Sequence, residues 1–227
     1  MEIAAGLALL LIAVLGVSLF ARRRREARLA FVRKYALPKG LDVRFLNRRP
    51  GLTPQQVDMV NNALRQYFKI ALAANRKMVA MPSQAADDLW HEFILYTRNY
   101  QAFCDRAFGR YLHHTPAEAM KGAHTQSNAL RRAWRLACAQ EGINPIKPHR
   151  LPMLFAIDGL LNISDGFHYT PDCKADASRN GDVHCGADLG SESGDGGSWG
   201  DDSSSGHDGD SGSGGGDGGG GGGCGGD

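Results

Sequence analysis

Residues 81–116 read MPSQAADDLWHEFILYTRNYQAFCDRAFGRYLHHTP, and the fold class follows from them. Ser83 is a good N-cap, and Leu89, Phe93 and Tyr96 recur at the three- and four-residue spacing of an amphipathic helix, with Trp90 and Ile94 on the flank. The spacing predicts a helix over 84–97. A second, over 98–109, carries Tyr100, Phe103, Cys104 and Phe108 and stops at Gly109. Asp87, His91, Cys104, His113 and His114 all fall inside this apolar stretch. Polar groups on a mostly buried surface cost free energy unless they are partnered, so their presence asks for a chemical reason.

Helices extend outward on both sides. Thr53, Pro54 and Gln56 form a start signal of cap, first-turn proline and capping-box glutamine, followed by the stripe Val57, Val60, Leu64, Tyr67, Phe68, Ala71 and Leu72. Thr115, Pro116 and Glu118 repeat the signal for a short helix. Residues 126–141 make a long one, with Leu130, Trp134, Ala137 and Cys138 on one side and Gly142 after it. Residues 41–50 read as a connector with a short extended piece at 43–46, and 153–161 as one more short helix or strand. No alternating apolar run is long enough for a sheet. The fold class is all-α.

The termini differ sharply from this body. Ile3–Ala21 carries no charge and no proline, and Arg22–Arg25 follow at once. As a helix it reaches about 28 Å, close to the hydrocarbon thickness of a bilayer. The expectation is a single-pass transmembrane anchor with a basic juxtamembrane helix over 1–37, its C-terminal side in the cytoplasm by the positive-inside rule. Thiols are then expected reduced, with no structural disulfide among the five Cys. At the other end, 20 of the 30 Gly lie between Gly186 and Gly226 among Ser and Asp. Such a composition cannot bury enough apolar surface to offset its ordering entropy. The domain plan is therefore anchor (1–37), helical domain (38–170) and disordered, acidic, Gly-rich tail (171–227).

Charge follows the same division. Residues 1–170 hold 24 Lys/Arg against 12 Asp/Glu, and residues 171–227 hold 2 against 12. The basic residues show neither a recognition-helix nor an aromatic-platform pattern, so no nucleic-acid partner is expected. The expected partners are the membrane and, through the acidic tail, a protein.

Asp87 and His91 stand at i and i+4, one above the other on a helix. If the two helices fold back on each other, Cys104 and one of His113 or His114 join them. An Asp/His/Cys/His set has the ligand types and number of a tetrahedral zinc site, with iron, nickel or copper also compatible. The bland alternative is an Asp–His pair that supports the helix, a buried Cys104 and a histidine pair at a helix exit. His91-Glu92 begins like a zincin motif but Leu95 stands where the second His is needed. Cys173, His184 and Cys185 form a weaker cluster.

The run Asp87-x-x-Trp90-His91, then Tyr100-x-x-Phe103-Cys104, then Phe108-Gly109-x-x-Leu112-His113-His114 resembles the glycine-rich domain-containing protein-like family. The residues that match are Asp87, Trp90, His91, Tyr100, Cys104 and His114, and Gly223-Cys224-Gly225 matches the tails of its membrane-anchored bacterial relatives. The resemblance implies no catalytic role, and this chain lacks the second His that plant members carry soon after the position of His91. Taken together, the expected protein is a binding or scaffold module with a metal site. Its rivals are a metal-dependent hydrolase acting near the membrane and an adaptor that recruits partners through its tail.

Overall fold

The computed structural model of the chain describes residues 2–114, 123–171 and 183–191, all within one compact unit, Met1–Ser193. Its elements run α1 (Glu2–Lys34), α2 (Leu41–Arg48), α3 (Pro54–Ala73), α4 (Gln84–Leu95), α5 (Thr97–Ala107), α6 (Ala123–Glu141), α7 (Met153–Leu160), β1 (His168–Thr170), β2 (Val183–Cys185) and α8 (Gly186–Gly190).

α3 is the hub. Thr53 accepts from the Gln56 amide while the Gln56 side chain accepts from the Thr53 amide, which completes the capping box ahead of Pro54. One face of α3 then packs on α4, α7, α6 and α1. Phe68 lies among Trp90, Phe93, Phe103 and Phe108, with ring centroids 4.8–6.4 Å away. These are the spacings at which aromatic pairs add to plain area burial. α4 and α5 are one apolar run broken at Tyr96, whose backbone (φ −80, ψ 60) leaves the helix for a single residue. α5 ends where Gly109 takes φ 69, so that its amide reaches the Cys104 and Asp105 carbonyls.

Two local readings change. Residues 41–48 are helical, not extended, because Leu41 and Phe45 sit one turn apart and both bury completely. The charge pattern supplies a second reason. Arg44 meets Glu92 at 2.8 Å and Arg48 meets Asp88 at 2.9 Å, so i,i+4 pairs on α2 and α4 face each other. Arg49 joins the fully buried Asp88 to Asp165.

The second change concerns the region expected to be tail. β1 and β2 form a parallel pair, His168 opposite Val183 to Thr170 opposite Cys185, and α8 packs on α6. Glycine is required there for contact. A Cβ on Gly186 would come within 2.5 Å of the Trp134 ring. Cys185 is disulfide-bonded, against the expectation of reduced thiols, while Cys104 and Cys138 are free and buried. The short helix expected after Thr115 and the remainder of the acidic tail, from residue 192 on, lie outside the described residues.

The membrane anchor is also corrected. Among the described residues no helix is long and apolar enough to cross a membrane. The apolar run of α1 stops at four consecutive arginines, Arg22–Arg25, and further charges follow in the rest of the helix. The single-pass transmembrane anchor expected over 1–37, and the localisation derived from it, are not supported by that finding. The last two turns of α1, with Tyr35 just after it, reach the core, where Val32 is buried and Phe31 and Tyr35 pack on Phe103.

Candidate metal centre

α4 presents two different faces one residue apart. Asp88 and Glu92 turn to the arginines of α2, and Asp87 and His91 turn the other way. The carboxylate of Asp87 and the ring of His91 meet at 3.3 Å, and His91 Nδ1 lies 2.9 Å from the Asp87 backbone carbonyl. With the proton on Nδ1, that ring donates to the carbonyl and keeps its Nε2 lone pair for a ligand, the usual arrangement behind a metal-bound histidine.

The third group arrives from beyond α5. After the Gly109 turn the chain passes Leu112, which is buried, and sets His114 Nε2 2.7 Å from Asp87 Oδ1. The rings of His91 and His114 lie 4.3 Å apart, and Trp90 meets His114 edge-on at 4.6 Å. A buried chain of hydrogen bonds holds this segment in place. Trp90 Nε1 donates to the Tyr100 hydroxyl at 3.1 Å, and that hydroxyl donates to the Leu112 carbonyl at 2.5 Å. Burial pushes the Tyr100 hydroxyl far above its ordinary pKa, so it stays a donor at every working pH.

Asp87, His91 and His114 each offer one ligand atom, and these atoms lie within 4.8 Å of one another. A tetrahedral ion with bonds of about 2.0–2.1 Å separates its ligand atoms by about 3.3 Å. The 3.3 Å between Asp87 and His91 is measured at Nδ1, the nitrogen that faces the Asp87 carbonyl, so it does not set the ligand separation at Nε2. The Asp87–His114 pair stands at hydrogen-bond distance and would open by about half an ångström as an ion replaced the shared proton.

The other two expected ligands are elsewhere. His113 is exposed and stacks on Tyr111 at 4.9 Å. Cys104 is fully buried on the core face of α5, beside Tyr100 and Leu112, and burial raises its thiol pKa. It belongs to the packing around Phe103, as its position three residues after Gln101 and one after Phe103 allows. In the weaker cluster, Cys185 is held in its disulfide and His184 stacks on Tyr169 at 5.5 Å. Cys173 lies outside the described residues.

The three-residue cluster opens into a cleft of about 900 Å³. Tyr67 and Trp90 form its apolar floor, and Arg76, Lys77 and Arg110 lie along its walls. Tyr67 donates to the Val79 carbonyl at 3.2 Å, which ties the α3–α4 connection to the floor. Burial, and then the nearby Asp87 charge, raise its pKa. In the sequence Tyr67 reads only as part of the apolar stripe of α3, and Arg76, Lys77 and Arg110 are not singled out. Arg110 alone carries a signal, since it follows a glycine turn that leads straight to the histidines.

The class defined so far is a helical domain with two histidines and one carboxylate converging on a cleft. Residues 27–189 match the model of the UCP032817-like family, and the chain belongs to that family. This corrects the resemblance to the glycine-rich domain-containing protein-like family. The match takes in the last eight residues of α1, α2 to β2 entire and most of α8, whereas the resemblance rested on a local pattern within 81–116. In the fold, Trp90, Tyr100, Phe103, Cys104, Phe108 and Leu112 of that pattern are core positions. No curated protein and no solved structure matches the chain.

Proposed function

We propose that this chain is a metal-binding module in which Asp87, His91 and His114 hold a divalent ion, zinc by its ligand types. The observation that carries the reading is the convergence of those three ligand atoms within 4.8 Å, from two segments 23 residues apart in the chain (His91 to His114). Two imidazoles and a carboxylate are a recurring ligand set for zinc and for non-haem iron.

A second reading is favoured by the cleft. Structural zinc is closed by four protein ligands, and catalytic zinc keeps three with one position open to water or substrate. Here the three groups face a cleft of about 900 Å³, within the size range of small-molecule sites. That supports a metal-dependent hydrolase, in which the ion polarises a carbonyl or phosphoryl oxygen. Asp87, His91 and His114 position the ion, and Trp90 keeps bulk water from one side of His114.

Elemental analysis of the purified full chain tests the metal. The expected result is close to one zinc or iron per chain, lost in His91→Ala and His114→Ala and kept in His113→Ala and Cys104→Ala. A folded wild-type protein that carries and takes up no divalent ion refutes the reading.

A further inference from the structure

Around the cluster the charges are one-sided. Among the described residues that line the cleft, Asp87 is the single carboxylate, against Arg76, Lys77 and Arg110. An ion on Asp87 would neutralise that charge and leave Arg76 and Arg110 on the walls of the cleft.

Some arginines of the fold are paired with carboxylates and others are not. Arg44, Arg48, Arg49 and Arg150 each meet a carboxylate within the fold. Arg76 and Arg110 form no ion pair with any described residue; Arg110 reaches only the neighbouring Tyr111 carbonyl at 3.4 Å. Guanidinium groups left without a carboxylate in a concave site are anion receptors in waiting, because their planar donor forks match carboxylate and phosphate oxygens.

The backbone adds an independent observation at the same place. Asn75 and Arg76 take φ values of 47° and 73°. Asn tolerates the left-handed region and Arg does not, so the turn after α3 holds Arg76 under strain. Strain of this kind persists where it serves a site. Here it carries a guanidinium to the lip of the cleft, where a glycine would make the same turn freely.

We propose that the cleft takes a small organic phosphate, its phosphoryl oxygens held by Arg76 and Arg110 beside the metal position and its organic part against Tyr67 and Trp90. Phosphate fits better than a monocarboxylate because a dianion matches two guanidinium groups and an adjacent divalent ion. This inference rests on the metal reading for the third charge, but the two arginines make it testable without the ion.

Titration calorimetry of the full chain with inorganic phosphate, with and without bound zinc, tests it. Phosphate is expected to bind the zinc-loaded chain and, more weakly, the zinc-free chain. Arg110→Gln and Arg76→Gly are each expected to weaken it about tenfold, the value of one charge-assisted hydrogen bond, with zinc content unchanged. Arg76→Gly keeps the variant folded by releasing the turn. Zinc bound at one per chain with no phosphate binding overturns the inference and leaves the metal reading standing. Phosphate binding that both arginine substitutions weaken, in a chain that takes no metal, supports it and sinks the metal reading alone. Acetate binding as tightly as phosphate, or phosphate affinity unmoved by either substitution, overturns it.

Discussion

Asp158→Asn is the sharpest test of how the site is held. Asp158 is 1% exposed on α7 and accepts four hydrogen bonds. Oδ1 takes the Ser83 hydroxyl at 2.7 Å and the Ala85 amide at 3.1 Å, and Oδ2 takes the Gln84 amide at 2.7 Å and the Phe167 amide at 3.0 Å. Three of these donors lie at the N-terminus of α4, where a negative charge is favoured by the helix dipole. An asparagine amide can turn two ways. With its NH2 in the place of Oδ2 it faces two amide donors and strands both. With its NH2 in the place of Oδ1, the Ser83 hydroxyl can rotate to accept, and only the Ala85 amide is stranded. The second orientation therefore wins. It costs one buried unsatisfied N–H, about 1–3 kcal/mol, and demotes two charge-assisted bonds to neutral ones, about 1 kcal/mol each. Relief of the carboxylate's own desolvation trims the sum, which leaves about 3 kcal/mol. Urea unfolding of the full chain should show that loss with an unchanged m-value, and thermal unfolding a fall of about 10 °C. Because α4 carries Asp87 and His91, zinc affinity should fall with it. A loss under 1 kcal/mol would refute the reasoning, since it would mean that the four donors find other partners.

Further outcomes follow from other contacts. Tyr100→Phe leaves the Trp90 N–H and the Leu112 carbonyl unpaired, so it should cost about 2–3 kcal/mol and lower zinc affinity about tenfold or more through the slackened His114 segment; unaltered zinc affinity would show that this chain of bonds does not position the histidine. Burial pushes the Cys138 thiol up to about 12 and raises that of Cys104, so peptide mapping after iodoacetamide at pH 8 should find both unmodified in the native chain and both alkylated in urea, and native-state labelling of either would contradict its placement. Burial raises the Glu141 pKa, but bonds from Arg150, the Met153 amide and Gln66 outweigh it and hold the carboxyl low. Its folded pKa lies below its unfolded value of about 4.3, so its contribution is complete above that pH and vanishes as pH falls through the folded value. The penalty of Glu141→Gln should therefore be full at pH 7 and shrink in more acid solution; a penalty independent of pH would refute it.

Much of the helical order is readable from local chemistry. Thr53, Pro54 and Gln56 announce α3, Ser83 announces α4, and Gly109 and Gly142 mark where α5 and α6 stop, because caps and left-handed turns are satisfied by neighbours in the chain. α2 is not readable in that way. Its eight residues include Asp42, Asn47, Arg44 and Arg48, and their helicity comes from Phe45 entering the core and from Arg44 and Arg48 finding Glu92 and Asp88. Glycine is the other source of misreading. In composition Gly186 and Gly190 belong with the acidic tail, yet each is a place where another part of the chain comes too close for a Cβ, against Trp134 and Pro145. Composition averages over such positions, and packing does not.

The site divides along the same line. Asp87 and His91 pair at i and i+4, so one helix is enough to bring them together, and their geometry can be expected from spacing alone. Cys104 is excluded by lying on the core face of α5, and the choice of His114 over His113 depends on where Leu112 is pinned. That is decided by the Tyr100 hydroxyl, a single group offered by α5 to a carbonyl 12 residues on. Had that bond not formed, nothing in the spacing would favour one histidine of the pair. The cationic walls are more distant still from any local rule. Arg76 follows α3 by three residues and Arg110 follows α5 by three, at unrelated places in the chain, and what unites them is that each turn empties onto the same face of α4. A cluster of ligands can thus be half seen in a sequence, while the surface that would choose their substrate is a property of the packed helices.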